Sequence, residues 1–259
     1  MLAQPEDMAI EKIIEHLLAR APSFRHLELA QLRTILDLAR IKKAVAGTTI
    51  FSEGQSAQQF YLLLSGYIRL TRVTAEGDRV IVLHVPPGQI FGIGTPLGHE
   101  IRQEAAIAAN DCLLISWPTP LWQVFSENYV GFNVETLRAF GARADEMSNR
   151  IVELSTKLVE QKVACALLRM ITQSGHKVEG GIEIDFPISR QNIADMTGTT
   201  LHTVSRVLSA WEKLGLIHST RCHIVVTDPH WMVVRSDTAG PMPAEERPNP
   251  TAAHLHRYA

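Results

Sequence analysis

The spacing of hydrophobic residues changes along the chain and separates regions of different structure. Between Ile10 and Ala39 apolar residues recur every three or four positions, with Pro22 interrupting them, which predicts two short helices. After Gly47 the apolar residues form short β-branched and aromatic runs: TTIF, QFYLLLSGYIRLTRV, RVIVLHV, QIFG, EAAIAA and CLLISW. Many short strands punctuated by glycine predict an antiparallel barrel or roll.

From Tyr129 the spacing lengthens to that of a helix. Apolar positions alternate at intervals of three and four residues: Leu137, Phe140, Ala144, Met147, Ile151 and Leu154. A stripe this narrow is typical of a coiled-coil seam, whereas a helix on a domain core has a broader apolar face. We therefore predict a helix of about 29 residues, roughly 43 Å long, that pairs with the same helix of a second copy. The alternative is one helix lying across its own domain.

Two shorter helical segments follow, separated by a glycine. Ser189 precedes the first segment, and its hydroxyl can accept a hydrogen bond from a first-turn amide. Gly198 permits a tight turn, after which a second helix begins near Thr199 or Thr200. The predicted buried side of this second helix consists of Val204, Val207, Leu208, Trp211 and Leu214. A small residue, a turn and a buried anchor in this order predict a helix-turn-helix.

The opposite face of the second helix carries polar residues at helical spacing. Arg206 can donate two hydrogen bonds to guanine, Ser205 can contact phosphate or base, and neutral His202 offers one donor and one acceptor. Two short strands should follow, around a turn that brings Arg221 to phosphate. The predicted DNA contacts are Arg190, Thr200, His202, Thr203, Ser205, Arg206, Ser209 and Arg221. The alternative is a surface helix with an incidental arginine.

Charge alone neither supports nor excludes a nucleic-acid partner. The 259 residues have a formal net charge of −2, and residues 159–235 carry eight Lys or Arg against seven Asp or Glu. Affinity for DNA must therefore depend on individually positioned cations and on the avidity of two half-sites.

Several other classes of protein lack support in the sequence. The three cysteines lie more than fifty residues apart with no C-x-x-C pair, which argues against a zinc ribbon, a local iron–sulfur site or a disulfide framework and suits a reduced cytoplasm. No apolar run reaches the roughly 18 residues of a membrane span, so we expect neither secretion nor membrane insertion. The phosphate-binding P-loop, G-x-S-x-G and H-E-x-x-H motifs are absent, so we do not expect an enzyme.

The order of parts and four local motifs resemble the Crp-Fnr family of bacterial transcription regulators. The motifs are GTTIFSEG at 47–54, FYLLLSG at 60–66, PGQIFG at 87–92 and TVSR at 203–206. The resemblance covers nearly the whole chain except the end, and it implies an α+β fold with four parts. These are a β-roll sensor domain with N-terminal helices (1–128), a dimerisation helix (129–158), a winged helix-turn-helix (159–235) and a disordered tail (236–259).

The resemblance also implies how such a protein works. Members of the family bind a palindromic operator as homodimers, with half-sites separated by about one helical turn of double-stranded DNA. They also contact RNA polymerase in the cytoplasm.

The effector loop departs from the family's cyclic-nucleotide-binding members. Those members place a Glu after Phe-Gly and an Arg-Ser pair a dozen residues later, whereas this chain has Ile93 and Gly94, then Gln103 and Glu104. A carboxylate at Glu104 would repel a cyclic phosphate, so we expect no cyclic nucleotide unless a shift of the loop brings Arg102 into the site. The oxygen-sensing branch holds an iron–sulfur cluster on N-terminal cysteines, and the first cysteine here is Cys112.

The recognition segment TGTTLHTVSRVLSAWE is most similar to the NnrR and Dnr types, the nitric-oxide and denitrification regulators in which haem is the proposed sensor. His202 replaces the Glu of better-known members, so the operator should differ at the base pair it reads. The candidate haem ligands are His16, His84 and His99, although His84 shares a strand face with two valines, where an ordinary core histidine is the default expectation. An unidentified small effector and a redox input are the alternatives.

Overall fold

The computed structural model describes residues 5–94 and 98–237 as a mixed α+β structure, which confirms the predicted fold class. The chain forms two compact units that divide between Glu146 and Met147, inside the long helix. The remaining residues lie outside the description, and they include all of the predicted tail except Ser236 and Asp237.

The first unit opens with the two predicted helices. Helix α1 (Pro5–Arg20) and helix α2 (Leu29–Asp37) are separated by a 3-10 turn at Pro22–Phe24. Pro22 occupies the first turn, where proline's missing amide is not needed. The helices bury Leu18 and Ile35, which belong to a core that also contains residues of the roll.

Among the described residues, the roll consists of eight antiparallel strands in two sheets. The strands are β1 (Arg40–Ala44), β2 (Thr49–Phe51), β3 (Gln59–Ser65), β4 (Ile68–Val73), β5 (Arg79–Val85), β6 (Ile90–Phe91), β7 (Ala105–Ala108) and β8 (Cys112–Pro118). Their orders are β1-β8-β3-β6 and β2-β7-β4-β5. Each predicted run contains strand residues, and the strands formed by TTIF, QIFG and EAAIAA are shorter than those runs. Strand β1 was not predicted, because three of its five residues are charged.

An aromatic core joins the roll to the base of the long helix. Phe60 stacks on Trp117 with ring centroids 5.3 Å apart, and Phe125 of helix α3 (Leu121–Asn128) meets both rings edge-on. Phe132, the first residue of helix α4 (Phe132–Thr156), is fully buried in the same cluster. The N-terminal end of α4 is therefore fixed to the roll by close packing.

Helix α4 is shorter than predicted at both ends. It has 25 residues. Gly131 precedes it with a φ of 91°, a left-handed conformation that the helix cannot contain. At the other end Leu158 is extended and caps the next helix, so the chain bends there.

The second unit is a winged helix-turn-helix. Its elements are α5 (Val159–Ser174), β9 (Gly175–Val178), β10 (Gly181–Ile184), α6 (Arg190–Thr197), α7 (Leu201–Lys213), β11 (Ile217–Ser219), β12 (Ile224–Val226) and α8 (Pro229–Asp237). The four strands form an antiparallel sheet in the order β11-β12-β10-β9. Strands β9 and β10 form a hairpin before Ser189, and its first strand begins at Gly175.

Helix α8 was not predicted, and it extends two residues beyond position 235. Trp231 packs edge-on against Trp211 of α7 with ring centroids 5.4 Å apart. Glu160 of α5 accepts a hydrogen bond from Trp211 Nε1 at 3.0 Å and also contacts Arg235 of α8. Helix α8 therefore completes the core of this unit.

Candidate nucleic-acid interface

The first helix of the helix-turn-helix starts as the sequence predicts. Ser189 Oγ accepts a hydrogen bond from the Asn192 amide at 3.1 Å, while Asn192 Oδ1 accepts one from the Ser189 amide at 3.0 Å. This reciprocal capping satisfies two amides that a helix start leaves without partners. It fixes the beginning of α6 beside the wing.

The turn between the helices depends on Gly198. Its φ of 60° and ψ of 37° are left-handed, and its amide donates to Ala194 O. No atom lies within 4 Å of where a Cβ would stand, so backbone conformation and not space requires glycine here. Thr200 then caps α7, because its hydroxyl accepts a hydrogen bond from the Thr203 amide at 3.2 Å.

One side of α7 is buried against the unit's core. Val204, Leu208 and Trp211 are at most 1% exposed, and Val207 is partly buried. The prediction for Leu214 was wrong: α7 ends at Lys213, and the Leu214 side chain is 51% exposed. Val204, Leu208 and Trp211 therefore anchor α7 in the core. The opposite side of its N-terminal half is left on the protein surface.

The predicted reading face is on the surface. His202 and Arg206 are exposed one helical turn apart, and Thr203, Ser205 and Ser209 are partly exposed beside them. The Thr200 and Thr203 hydroxyls lie 2.9 Å apart and share a hydrogen bond. The structure thus brings together the six residues predicted on this helix and its cap.

A groove separates the start of α7 from the wing. The wing turn joins β11 to β12 and exposes Arg221. The groove has a volume of about 580 Å³ and is lined by Ser189, Arg190, Gln191, Leu201, Ser219, Thr220 and Arg221. An exposed arginine on one rim and the reading helix on the other suit a phosphate backbone.

The sequence predicts Arg190 as a DNA contact, and in the structure its guanidinium is engaged by other side chains of the protein. Its guanidinium donates to Ser209 Oγ at 3.2 Å and to Glu212 Oε2 at 3.2 Å, and its side chain is 34% exposed. Glu212 was not singled out from the sequence, because a carboxylate 22 positions away gives no local signal. The pairing becomes visible when α6 and α7 are placed together.

The predicted dimer face is largely exposed in the single chain. Leu137 is 69% exposed, Ile151 65%, Met147 44% and Leu154 37%, and Ala144 is also exposed. Phe140 differs, because it is partly buried against the aromatic core and lies under the Arg143 guanidinium at 5.4 Å. Large apolar side chains exposed on one helix mark a surface suited to interaction with another protein surface.

In the roll, the Arg102 side chain makes its contacts with other residues of the roll. Its guanidinium donates to the backbone carbonyls of Gly92 and Gln59 and lies 4.2 Å from the Phe51 ring centroid. The side chain is 4% exposed. Its guanidinium is therefore engaged by contacts within the roll.

Glu104 lies in a polar cluster of mixed charge. Burial raises the pKa of the Glu104 carboxyl, while Arg72 opposes the rise and Glu53 adds to it. His99 and Arg143 oppose the rise to a smaller extent. A half-buried acidic group here disfavours an anion and favours a neutral or cationic group.

The three candidate haem ligands lie on separate elements. His16 is exposed on α1, His99 is exposed in the loop before β7, and His84 is buried on β5. An axial ligand must face the haem iron. His84 is 7% exposed and pairs with Arg69 of β4 within the sheet, whereas His16 and His99 are on the surface, so the three candidates do not meet in one site.

Two further observations limit the chemistry of the described residues. No group of three or more His, Cys, Asp or Glu side chains among them could hold a metal ion. Within the same residues, no helix has the length and apolar character needed to cross a membrane.

Comparison with known families matches both units. Residues 41–129 match the cyclic nucleotide-binding domain, and residues 161–232 match the Crp-like helix-turn-helix domain. The first match covers the roll, and the second covers the helices and wing described above.

Individual relatives share this arrangement. The chain is 28% identical over 211 residues to the nitrogen fixation regulation protein FixK of Bradyrhizobium diazoefficiens, covering 78% of this chain and 84% of that protein. It is 29% identical over 206 residues to the cyclic AMP receptor protein of Thermus thermophilus, covering 76% and 88%. Among solved structures, FixK2 from Bradyrhizobium japonicum superposes with a TM-score of 0.68 at 23% identity, covering 78% of this chain and 99% of that one.

Proposed function

Because the chain is a DNA-binding transcription regulator of the Crp-Fnr family, we propose that it acts as a homodimer on a palindromic operator. The exposed reading face of α7 carries this proposal, together with the exposed apolar stripe on α4. Pairing of two α4 helices would cover Leu137 and Ile151 and present two copies of α7 to the same side of the duplex.

The base contacts follow from the chemistry of the exposed side chains. Arg206 can donate two parallel hydrogen bonds to guanine O6 and N7, and His202 can read a neighbouring base with one donor and one acceptor. Arg221 on the wing adds a phosphate contact that is independent of sequence. Specificity therefore comes from α7, and a large share of the salt-dependent affinity comes from the wing.

The test begins with selection of duplexes from a random library by the wild-type protein. We expect an inverted repeat with half-sites about 10 base pairs apart. Arg206→Ala should then cost about 1–3 kcal/mol and relax preference at one base pair in each half-site. An equal loss on every sequence would make Arg206 a phosphate contact, and selection of no duplex would refute the proposed function.

We propose further that a small effector in the roll controls DNA binding through α4. The base of α4 is packed into the roll's aromatic core, so a ligand that moves the roll also moves the helix. The effector would then shift the balance between dimers competent and incompetent for DNA. Fluorescence anisotropy on the selected operator, with and without a candidate effector, measures this shift, and equal affinity with every candidate would contradict it.

Cyclic nucleotides are poor candidates for this effector. Arg102 is engaged by two backbone carbonyls. By sequence, Gln103 and Glu104 stand near the positions where the family's cyclic-nucleotide-binding members carry the Arg-Ser pair. Calorimetry with cyclic AMP and cyclic GMP should detect no binding, and saturable heat would reverse this assignment.

Nitric oxide acting through haem is the sensing chemistry that the family resemblance favours. The fit to haem is incomplete, as described above, and His84 is the buried residue among the three ligand candidates. Absorption spectra of haem-reconstituted wild type, His84→Ala, His16→Ala and His99→Ala test this. A saturable Soret band lost in one variant would support haem sensing, and a band unchanged in all three would exclude these ligands. We further propose RNA polymerase as a partner and the cytoplasm as the location, because the family resemblance implies both.

A further inference from the structure

A four-residue cluster joins three elements of the DNA-binding unit, and we call it the Arg190 bridge. It consists of Arg190 at the start of α6, Ser209 and Glu212 on α7, and Ser219 on β11. Arg190 donates to Ser209 Oγ at 3.2 Å, to Glu212 Oε2 at 3.2 Å and to Ser219 Oγ at 3.4 Å. One guanidinium therefore ties the first helix, the recognition helix and the wing together.

Glu212 receives hydrogen bonds from both sides of the bridge. Ser219 Oγ donates to Glu212 Oε1, while the Arg190 guanidinium donates to both carboxylate oxygens. The planar fork of arginine suits this task, because its donors diverge at fixed angles, whereas lysine has a single charged nitrogen. The wing strand and the recognition helix thus share one carboxylate.

The bridge also forms part of the groove that faces DNA in the proposed function. Arg190 and Ser219 line this groove between Leu201, at the start of α7, and Arg221, on the wing turn. The bridge therefore sets the separation between the helix that reads bases and the arginine that contacts phosphate.

Electrostatics argue against a direct phosphate contact by Arg190. A lone carboxylate near the DNA backbone would repel phosphate, and Glu212 is 28% exposed. Its pairing with Arg190 makes the two residues neutral together. Arg221 is exposed and is not paired with a carboxylate of the described residues. Its charge is therefore more suitable than that of Arg190 for replacing counterions on the duplex.

We propose that Arg190 and Glu212 are positioning residues that hold the recognition helix and the wing at a fixed separation, and that Arg190 does not itself bind phosphate. This inference rests on the proposed DNA-binding function. An acidic residue on a DNA-binding surface would by itself weaken binding to DNA. In this proposal Glu212 instead strengthens binding, because it holds Arg190 and the wing in place.

The test measures affinity against salt concentration on the duplex that the wild-type protein selects. The variants are Glu212→Gln, the charge-matched double variant Arg190→Gln with Glu212→Gln, and Arg221→Gln as the phosphate-contact control. Arg221→Gln should lower the slope of log affinity against log salt by about 0.9 per contact, or about 1.8 per dimer. Glu212→Gln and the double variant should each bind about tenfold more weakly with an unchanged slope, because neighbours acting as a unit are not additive.

Different results would overturn the positioning role. If Arg190 contacts phosphate, Glu212→Gln frees its guanidinium and binding becomes equal or tighter, while the double variant loses about 1.8 in slope. Ser219→Ala removes only one hydroxyl from the bridge, so it is the variant least expected to disturb folding. The positioning role predicts that it binds DNA more weakly with an unchanged salt slope. Full affinity in this variant would count against the positioning role. Failure of the wild type to select any duplex would refute the DNA-binding proposal itself, before any variant is compared.

Discussion

Arg143 of α4 donates two hydrogen bonds to Gln89 Oε1, from Nε at 3.1 Å and from Nη2 at 2.6 Å. Nη2 also donates to the Ile90 carbonyl at 2.9 Å, where β6 begins. Burial lowers the pKa of Arg143 to about 10, so the guanidinium stays charged near neutral pH. A charged side chain of the proposed dimer helix is thus held by the strand that leads into the effector loop.

Loss of this link should loosen α4 locally. Arg143→Leu leaves the Ile90 carbonyl and Gln89 without their charged donor, and hydrogen bonds to charged groups contribute about 1.5–3 kcal/mol. Hydrogen exchange of the α4 amides around position 143 should accelerate by roughly tenfold or more, since about 1.4 kcal/mol corresponds to that factor. Asp145→Asn on the exposed side of the helix is the control, and equal exchange in both variants would contradict the link.

The turn of the helix-turn-helix should tolerate no side chain at Gly198. Gly198→Ala forces an L-residue into the left-handed region and should cost about 1–2 kcal/mol of unfolding free energy. Gly141→Ala is the matched control, because Gly141 is helical with nothing within 4 Å of its Cβ position. It should be neutral or stabilising by up to about 1 kcal/mol. Chemical denaturation compares the two, and equal stability would show that the turn relaxes.

The first unit should lose stability in acid through Glu135. The Arg25 guanidinium, 2.8 Å away, holds the pKa of this carboxyl below its usual value, with Arg138 assisting. A lowered folded-state pKa means that the stabilisation is complete above the unfolded pKa of about 4.3 and is lost as pH falls through the folded value. Urea midpoints from pH about 6 to about 3 should fall more steeply in wild type than in Glu135→Gln. Exposed Glu76→Gln should follow the wild type.

The apolar stripe of α4 should hold two copies of the chain together. Leu137→Glu or Ile151→Glu places a carboxylate in the seam and should yield monomers in sedimentation velocity, because burying an unpaired charge is costly. Asn149→Glu is the control, since this exposed position lies outside the stripe. Intact dimers in the seam variants would mean that another surface pairs the chains.

Local chemistry explains why the DNA-binding helices were predictable. The Ser189 cap, the Gly198 turn and the Thr200 cap each act within four residues, so the sequence alone specifies them. The strands of the roll were also visible, because apolar runs and glycines alternate along the chain. Strand β1 and helix α8 were missed, because β1 is mostly charged and α8 is short and takes its stability from packing on α5 and α7.

Features that depend on distant residues could not be predicted. Arg190 meets Glu212 across two helices, and Arg102 turns inward because Phe51 and two carbonyls surround it. Phe140 fits the heptad spacing but also reaches the aromatic core, so periodicity alone assigned it wholly to the seam. In each case the side chain's partner lies in another element.

The central claim is that two recognition helices, joined through α4, read two half-sites together. Its most direct measurement is anisotropy on three duplexes: the selected inverted repeat, the same repeat with one half-site scrambled, and the repeat with about 5 base pairs, half a helical turn, inserted at its centre. The account predicts that both altered duplexes bind at least about a hundredfold more weakly, because avidity of the second half-site is lost. Equal affinity for all three would show that each chain binds DNA alone and would contradict the account.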